Sequence, residues 1–126
     1  MPVPAHRAQA ELFKTLGHPV RVRVLQLLCE RPRPVRDLLA EIEVEASNLS
    51  QQLAVLRRFG IVTARRQGAS VTYELTSGDI PELMGAARRI LAQLPPAAEE
   101  AVEEEPPSGL KNAGLKAAGG ARLATP

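Results

Sequence analysis

Apolar residues recur along this 126-residue chain at two spacings. From Ala8 to Leu56 they fall three or four apart, the period of a helix buried on one side, and from Ile61 to Leu75 they alternate with polar residues, the period of a half-buried strand. Ala8, Leu12 and Leu16 mark a first helix, broken by Gly17 and Pro19, and Val20, Val24, Leu27 and Leu28 mark a second that stops before Pro32 and Pro34. Pro34 suits the first turn of a third helix, where a missing N–H costs nothing, and Val35, Leu38, Leu39 and Ile42 continue it. After a turn over Glu43–Ala46, Ser47 or a neighbour is expected to cap a fourth helix carrying Leu49, Leu53 and Leu56. Gly60 then stands where a helix terminates in a left-handed residue. Ile61, Thr63 and Arg65 alternate with Val62, Ala64 and Arg66, Gln67-Gly68-Ala69 supplies a turn, and Val71, Tyr73 and Leu75 alternate with Thr72 and Glu74. A last helix runs from Ile80 to Leu94, with Pro81 in its first turn.

Two short helices followed by a hairpin predict a mainly α fold: a winged helix-turn-helix of five helices with a two-stranded antiparallel hairpin as the wing. At 100° per residue the three leucines of the fourth helix lie in a stripe about 60° wide, while Ser47, Gln51, Ala54 and Arg58 face the other way. The first two turns of that outward side carry hydroxyls and carboxamides, which both donate to and accept from base edges, and no acidic residue occurs from Ala46 to Gln67. The expected partner is therefore double-stranded DNA. Ser47, Asn48, Ser50, Gln51 and Gln52 would read bases, Arg36, Arg57 and Arg58 would hold phosphates, and Arg65, Arg66 and Gln67 would anchor the wing. The plainer alternative is a solvated polar face and a hairpin that only closes the core.

Composition changes after Leu94, which divides the chain into a short flexible start (1–7), a DNA-binding and dimerisation domain (8–94) and a tail (95–126) that cannot bury enough apolar surface to order itself. The tail carries a net charge of −2, so the rest of the +2 chain carries +4 and is the basic part. With one Tyr and two Phe in the whole chain, the core must be built from Leu, Val, Ile and Ala. So short a core is marginal alone. The apolar sides of the first and last helices, with Leu12, Leu16, Leu83, Ala87, Ile90 and Leu91, are expected to pair two copies into a homodimer. Two recognition helices would then meet half-sites about 34 to 36 Å apart on a pseudo-palindromic operator. No apolar run approaches the length of a membrane span and no signal peptide is visible, so the expected compartment is the cytoplasm.

Three blocks carry a resemblance. Leu16-Gly17-His18-Pro19 with Arg21 to Leu25, then Asn48 to Arg57 with Gly60-Ile61-Val62, and finally Arg65-Arg66-Gln67-Gly68 with Tyr73-Glu74-Leu75 are similar to the ArsR/SmtB family of bacterial repressors. The likeness spans about Ala8 to Leu94 and implies a homodimer that occupies an operator and changes its grip when a metal ion or other inducer arrives. The usual sensing residues are missing. Where relatives place paired cysteines the chain reads Arg31 to Leu38 without a thiol, and after Asp79 come Ile80 and Pro81 in a helix lacking histidine. No catalytic residue, no metal ligand set and no resident cofactor is expected. Nickel or zinc enters only through His6 with carboxylates such as Glu11 or Glu82 of a second copy, because such ions need several converging donors. His18 is expected to define its turn. Cys29 resembles one cysteine of a thiol-sensing branch whose second cysteine is absent here, leaving single-thiol chemistry such as sulfenylation, or a buried thiol acting as a small hydrophobe. Inducer sensing could also rest with a separate protein. An enzyme finds no support, since no nucleophile has a base near it in the sequence, and a winged-helix module for protein assembly stays open as the rival.

Overall fold

The computed structural model describes residues 2–95. The expected tail, and with it the acidic stretch, lies outside the described residues. Along the chain run α1 (Ala5–Leu16), α2 (Pro19–Glu30), β1 (Arg33–Pro34), α3 (Val35–Glu41), α4 (Ala46–Phe59), β2 (Val62–Gln67), β3 (Ser70–Leu75) and α5 (Asp79–Gln93). The five helices and the hairpin stand where the hydrophobic pattern put them, as a winged helix-turn-helix.

Three boundaries differ from expectation, each for a local reason. The first helix begins at Ala5 rather than near Ala8, because the Pro4 carbonyl already accepts from the N–H groups of Arg7 and Ala8 at 3.0 and 3.1 Å. Those first residues are exposed, so no periodicity announced them. Pro34 lies outside α3, as its extended N-cap, and pairs with Thr72 while Arg33 pairs with Tyr73. The wing is consequently a three-stranded antiparallel sheet in the order β1-β3-β2, not a lone hairpin. A proline tolerates this place because β1 is an edge strand. The third difference is the start of α4, whose N-cap is Glu45 with no side-chain capping bond, so Ser47 is inside the helix with its hydroxyl outward instead of serving as the cap.

The chain divides into two units, Met1–Gly85 and Ala86–Pro126. In the first, the core gathers Val24, Leu25, Leu27, Leu28, Leu38, Ile42, Leu49, Leu53, Leu56, Ile61 and Val62, with Leu16 and Ile80 at its margin. These leucines are what orient α4. Leu49 and Leu56 are fully buried and Leu53 is 1% exposed, so one side of the helix is committed to the core and the opposite side must face outward. Burial of each such side chain contributes about 1.5–3 kcal/mol. Gly60 ends α4 at φ 93°, its N–H shared between Leu56 and Arg57 carbonyls, and the Ile61 N–H reaches back to Leu56 at 3.0 Å. A side chain there would meet the left-handed penalty that glycine escapes. The hairpin closes on the same spot. Thr76 Oγ1 donates toward the carbonyls of Gly60 and Ile61 at 2.7 and 3.0 Å, tying the end of β3 to the end of α4.

Of the second unit, the described residues form the end of α5, with Ala87, Ile90, Leu91 and Leu94 exposed. Leu83 and Met84, in the first unit, are half-buried against the core. Among the residues expected to pair two copies, Leu16 needs correction: at 8% exposure it belongs to the protomer's own core and offers little to a partner. Sequence spacing placed it on the right stripe of α1, but its position beside the Gly17 corner turns it inward. Phe13, absent from the expected set, is 58% exposed on the same helix.

Candidate nucleic-acid interface

The outward side of α4 presents Ser47, Ser50, Gln51, Arg57 and Arg58, all exposed, and no acidic residue lies between Ala46 and Gln67. Arg57 and Arg58 occupy the last turn, where cations also favour the helix dipole. Asn48 and Gln52 are half-buried and joined, because Gln52 Nε2 donates to Asn48 Oδ1 at 3.0 Å. Gln52 is held from its other end by Arg21, whose Nε donates to Oε1 at 2.9 Å while Nη1 donates to the Thr15 carbonyl at 2.7 Å. The predicted reading residues thus separate into an open group and an internally bonded pair.

Arg21 was singled out in the sequence only as part of a motif. Its role depends on a contact 31 residues away, which no local pattern reports. His18 does what its place in the turn suggested: its Nδ1 accepts from the Val20 N–H at 3.2 Å and caps α2. Loss of solvent around the ring, with the Arg21 cation nearby, lowers its pKa below the ordinary 6.5.

The wing splits the arginine pair. Strand alternation puts Arg66 on the face that carries Val62 and Ala64, and Arg65 on the opposite face with Gln67, Ser70 and Thr72. On that second face a groove of about 440 Å³ is lined by Pro32, Pro34, Arg36, Arg65, Gln67, Ser70 and Thr72. Arg36 reaches across it to donate to Ser70 Oγ at 2.7 Å, and Thr72 Oγ1 donates to Gln67 Oε1 at 3.2 Å. Arg65 donates to Glu74 at 3.1 Å. Arg66 is exposed, and no acidic side chain pairs with it among the described residues.

The sensing candidates are dispersed. Among the described residues no group of three or more His, Cys, Asp or Glu side chains converges as a metal site would require. Cys29 is half-buried in the last turn of α2, and Arg33, one of the two cations near it in sequence, is itself buried and donates to Glu30. Arg33 Nε is buried without a hydrogen-bond partner. Among the described residues no helix is long and apolar enough to cross a membrane.

Comparison with known proteins agrees with this arrangement. Residues 18–64, from the α2 cap through α4 into the wing, match the bacterial regulatory protein arsR family. An uncharacterised HTH-type transcriptional regulator of Mycobacterium tuberculosis is 51% identical over 92 residues, 72% of this chain and 81% of its own length. Its crystal structure superposes with a TM-score of 0.68 at 47% identity, covering 80% of this chain and 99% of that one. The biofilm growth-associated repressor of Xylella fastidiosa is 42% identical over 77 residues, 61% of this chain and 68% of the relative. The chain, with its leucine-anchored fourth helix and its sheet-braced wing, belongs to the arsR family of bacterial transcriptional regulators.

Proposed function

We propose that this regulator binds a pseudo-palindromic operator as a homodimer, acting without catalysis in the cytoplasm of a bacterium. The observation that carries the reading is the two-sidedness of α4: its leucines are sequestered while Ser47, Ser50, Gln51, Arg57 and Arg58 stand exposed beside an arginine-bearing wing. A helix of this width fits the major groove, where hydroxyl and carboxamide groups match the donor and acceptor pattern of base edges. Gln51, exposed with both ends of its amide available, suits two-bond recognition of adenine. Arg36, Arg57, Arg58 and Arg66 would take phosphates, and Arg65 and Gln67 would line the wing's outer face.

The homodimer rests on apolar surface that the protomer leaves uncovered: Phe13 in the first unit, and Ile90 and Leu91, at 57% and 60% exposure, in the second. The biofilm growth-associated repressor of Xylella fastidiosa is by name a repressor, which favours repression here as well. The test is titration of the purified full-length protein against the DNA upstream of its own gene and against a random duplex of equal length, with sedimentation to give the stoichiometry. Two protomers per site and a large preference for the upstream DNA are expected. Equal, salt-insensitive affinity for both duplexes would favour the protein-assembly alternative instead.

A further inference from the structure

We infer that Arg21 sets what Asn48 offers to a duplex, by fixing the Asn48 amide with Oδ1 toward Gln52 and its NH2 turned away; the inference rests on the proposal that α4 enters the major groove. The chain of bonds has one unambiguous end. A guanidinium has donors and no acceptor, so the Gln52 atom 2.9 Å from Arg21 Nε must be the carbonyl oxygen. Gln52 is thereby obliged to direct its NH2 at Asn48, 3.0 Å away, and the Asn48 atom that receives it must be Oδ1. Each amide orientation follows from donor and acceptor chemistry. Arg21 is anchored in turn by the Thr15 carbonyl at 2.7 Å, so the chain starts on the fixed corner between α1 and α2.

The consequence is specific. With Oδ1 turned to Gln52 and one of its two lone pairs engaged, the NH2 is the group that Asn48 leads with toward an incoming duplex. In the major groove that group finds acceptors at guanine O6 and thymine O4, where adenine and cytosine instead present the N6 and N4 donors; purine N7 accepts in both adenine and guanine and does not discriminate. The two-bond recognition of adenine usual for asparagine must here share Oδ1 with the Gln52 bond, while Gln51, one position from Gln52, has no such competitor. Arg21 acts as a positioning residue: it makes no base contact and acts through Gln52.

Replacing Gln52 with Glu tests the relay by inverting it. A carboxylate accepts from Arg21 with one oxygen and from Asn48 with the other, which forces the Asn48 amide to turn over and present Oδ1 outward. Selection from a pool of randomised duplexes by full-length wild type, Gln52→Glu, Arg21→Ala and Arg21→Lys would read the outcome position by position. Wild type is expected to prefer guanine or thymine at one position per half-site by about two- to tenfold, the range of one hydrogen bond. Gln52→Glu shifts that position toward adenine or cytosine, Arg21→Ala flattens it, and Arg21→Lys, which keeps a donor for Gln52, restores it. The rest of the selected sequence stays the same in all four. A uniform loss of affinity with the preference unmoved would overturn the inference and leave Arg21 a corner brace. Should the wild type select no sequence at all, the groove reading itself falls and takes this inference with it.

Discussion

Replacing Arg66 with Ala should weaken DNA binding on every sequence and flatten its salt dependence, and the size of both effects follows from where the side chain sits. Arg66 is exposed at the end of β2, on the opposite face of the sheet from Glu74, and no acidic group pairs with it among the described residues. Its charge is fully available to one phosphate. Each phosphate neutralised contributes about 0.9 to the slope of log K against log salt, so a homodimer carrying the change twice should lose about 1.8 in slope. At 0.1 M salt the same release amounts to about eightfold in affinity per protomer and about sixtyfold per dimer. Fluorescence anisotropy with a labelled operator and a labelled random duplex, titrated between 0.05 and 0.3 M salt as about the useful range, measures both quantities. Arg65 supplies the internal control. Because it donates to Glu74 at 3.1 Å, removing both partners together takes away a neutral pair, and Arg65→Ala with Glu74→Ala should leave the slope nearly unchanged. An unaltered slope in Arg66→Ala would refute its phosphate role, and a loss confined to the operator would show that it contacts a base.

Three further outcomes are expected. Gln51→Ala should lower discrimination between the operator and variants changed at one base pair by about 1–3 kcal/mol, with non-specific affinity preserved; equal losses on both would mean Gln51 reads no base. Leu53→Ala, at a site 1% exposed among the core leucines, should destabilise the fold by about 2–5 kcal/mol in urea denaturation, whereas a change below about 1 kcal/mol would place that side chain outside the core. His18, held below the ordinary 6.5 by loss of solvent and by the Arg21 cation, resists in the folded state a proton that the unfolded chain accepts. Its contribution is therefore complete above 6.5, declines as pH falls below it, and levels off once the folded-state pKa is passed. His18→Asn keeps a capping oxygen and does not titrate, so its urea midpoint should lose that decline; an identical pH profile in wild type and variant would rule the histidine out as its source.

The helices were legible because burial in this chain is one-sided. Leu49, Leu53 and Leu56 share a stripe whose spacing survives in the sequence, and a face committed to the core defines its opposite by subtraction. The hairpin was legible for the same reason at a period of two. What the sequence withheld are interactions between residues far apart in the chain whose types are common and whose local patterns are silent. Arg21 sits in a helix rich in alternating Arg and Val, and nothing within a turn of it tells that Nε meets Gln52. Asn48 and Gln52 were grouped with Ser47, Ser50 and Gln51 because side-chain chemistry was read without the partner that occupies it. The Arg65 and Arg66 pair looked like one anchor, although adjacent strand residues necessarily point to opposite faces.

The unanticipated strand β1 links these observations mechanically. A free hairpin of two six-residue strands would be marginal in water and would leave its arginines loosely placed. Here Arg33 and Pro34 pair with Tyr73 and Thr72, and the chain passes from Pro34 directly into α3, so the wing is bonded to the first helix of the helix-turn-helix. At the other end Thr76 clasps the carbonyls that follow α4, the second helix of that motif. The wing is held by both helices of the unit it assists, and Arg36 crosses from α3 to Ser70 at 2.7 Å to close the same connection through side chains. In the proposed complex, phosphate contacts from such a wing would fix the register of the duplex against α4 without the ordering cost that a loose hairpin would add on binding. Base reading by a helix that presents so few charged groups in its first turns would depend on that register. An error of one base step would set Gln51 against the wrong edge, so under the proposed function the bracing of the wing would serve the specificity of the protein as much as its stability.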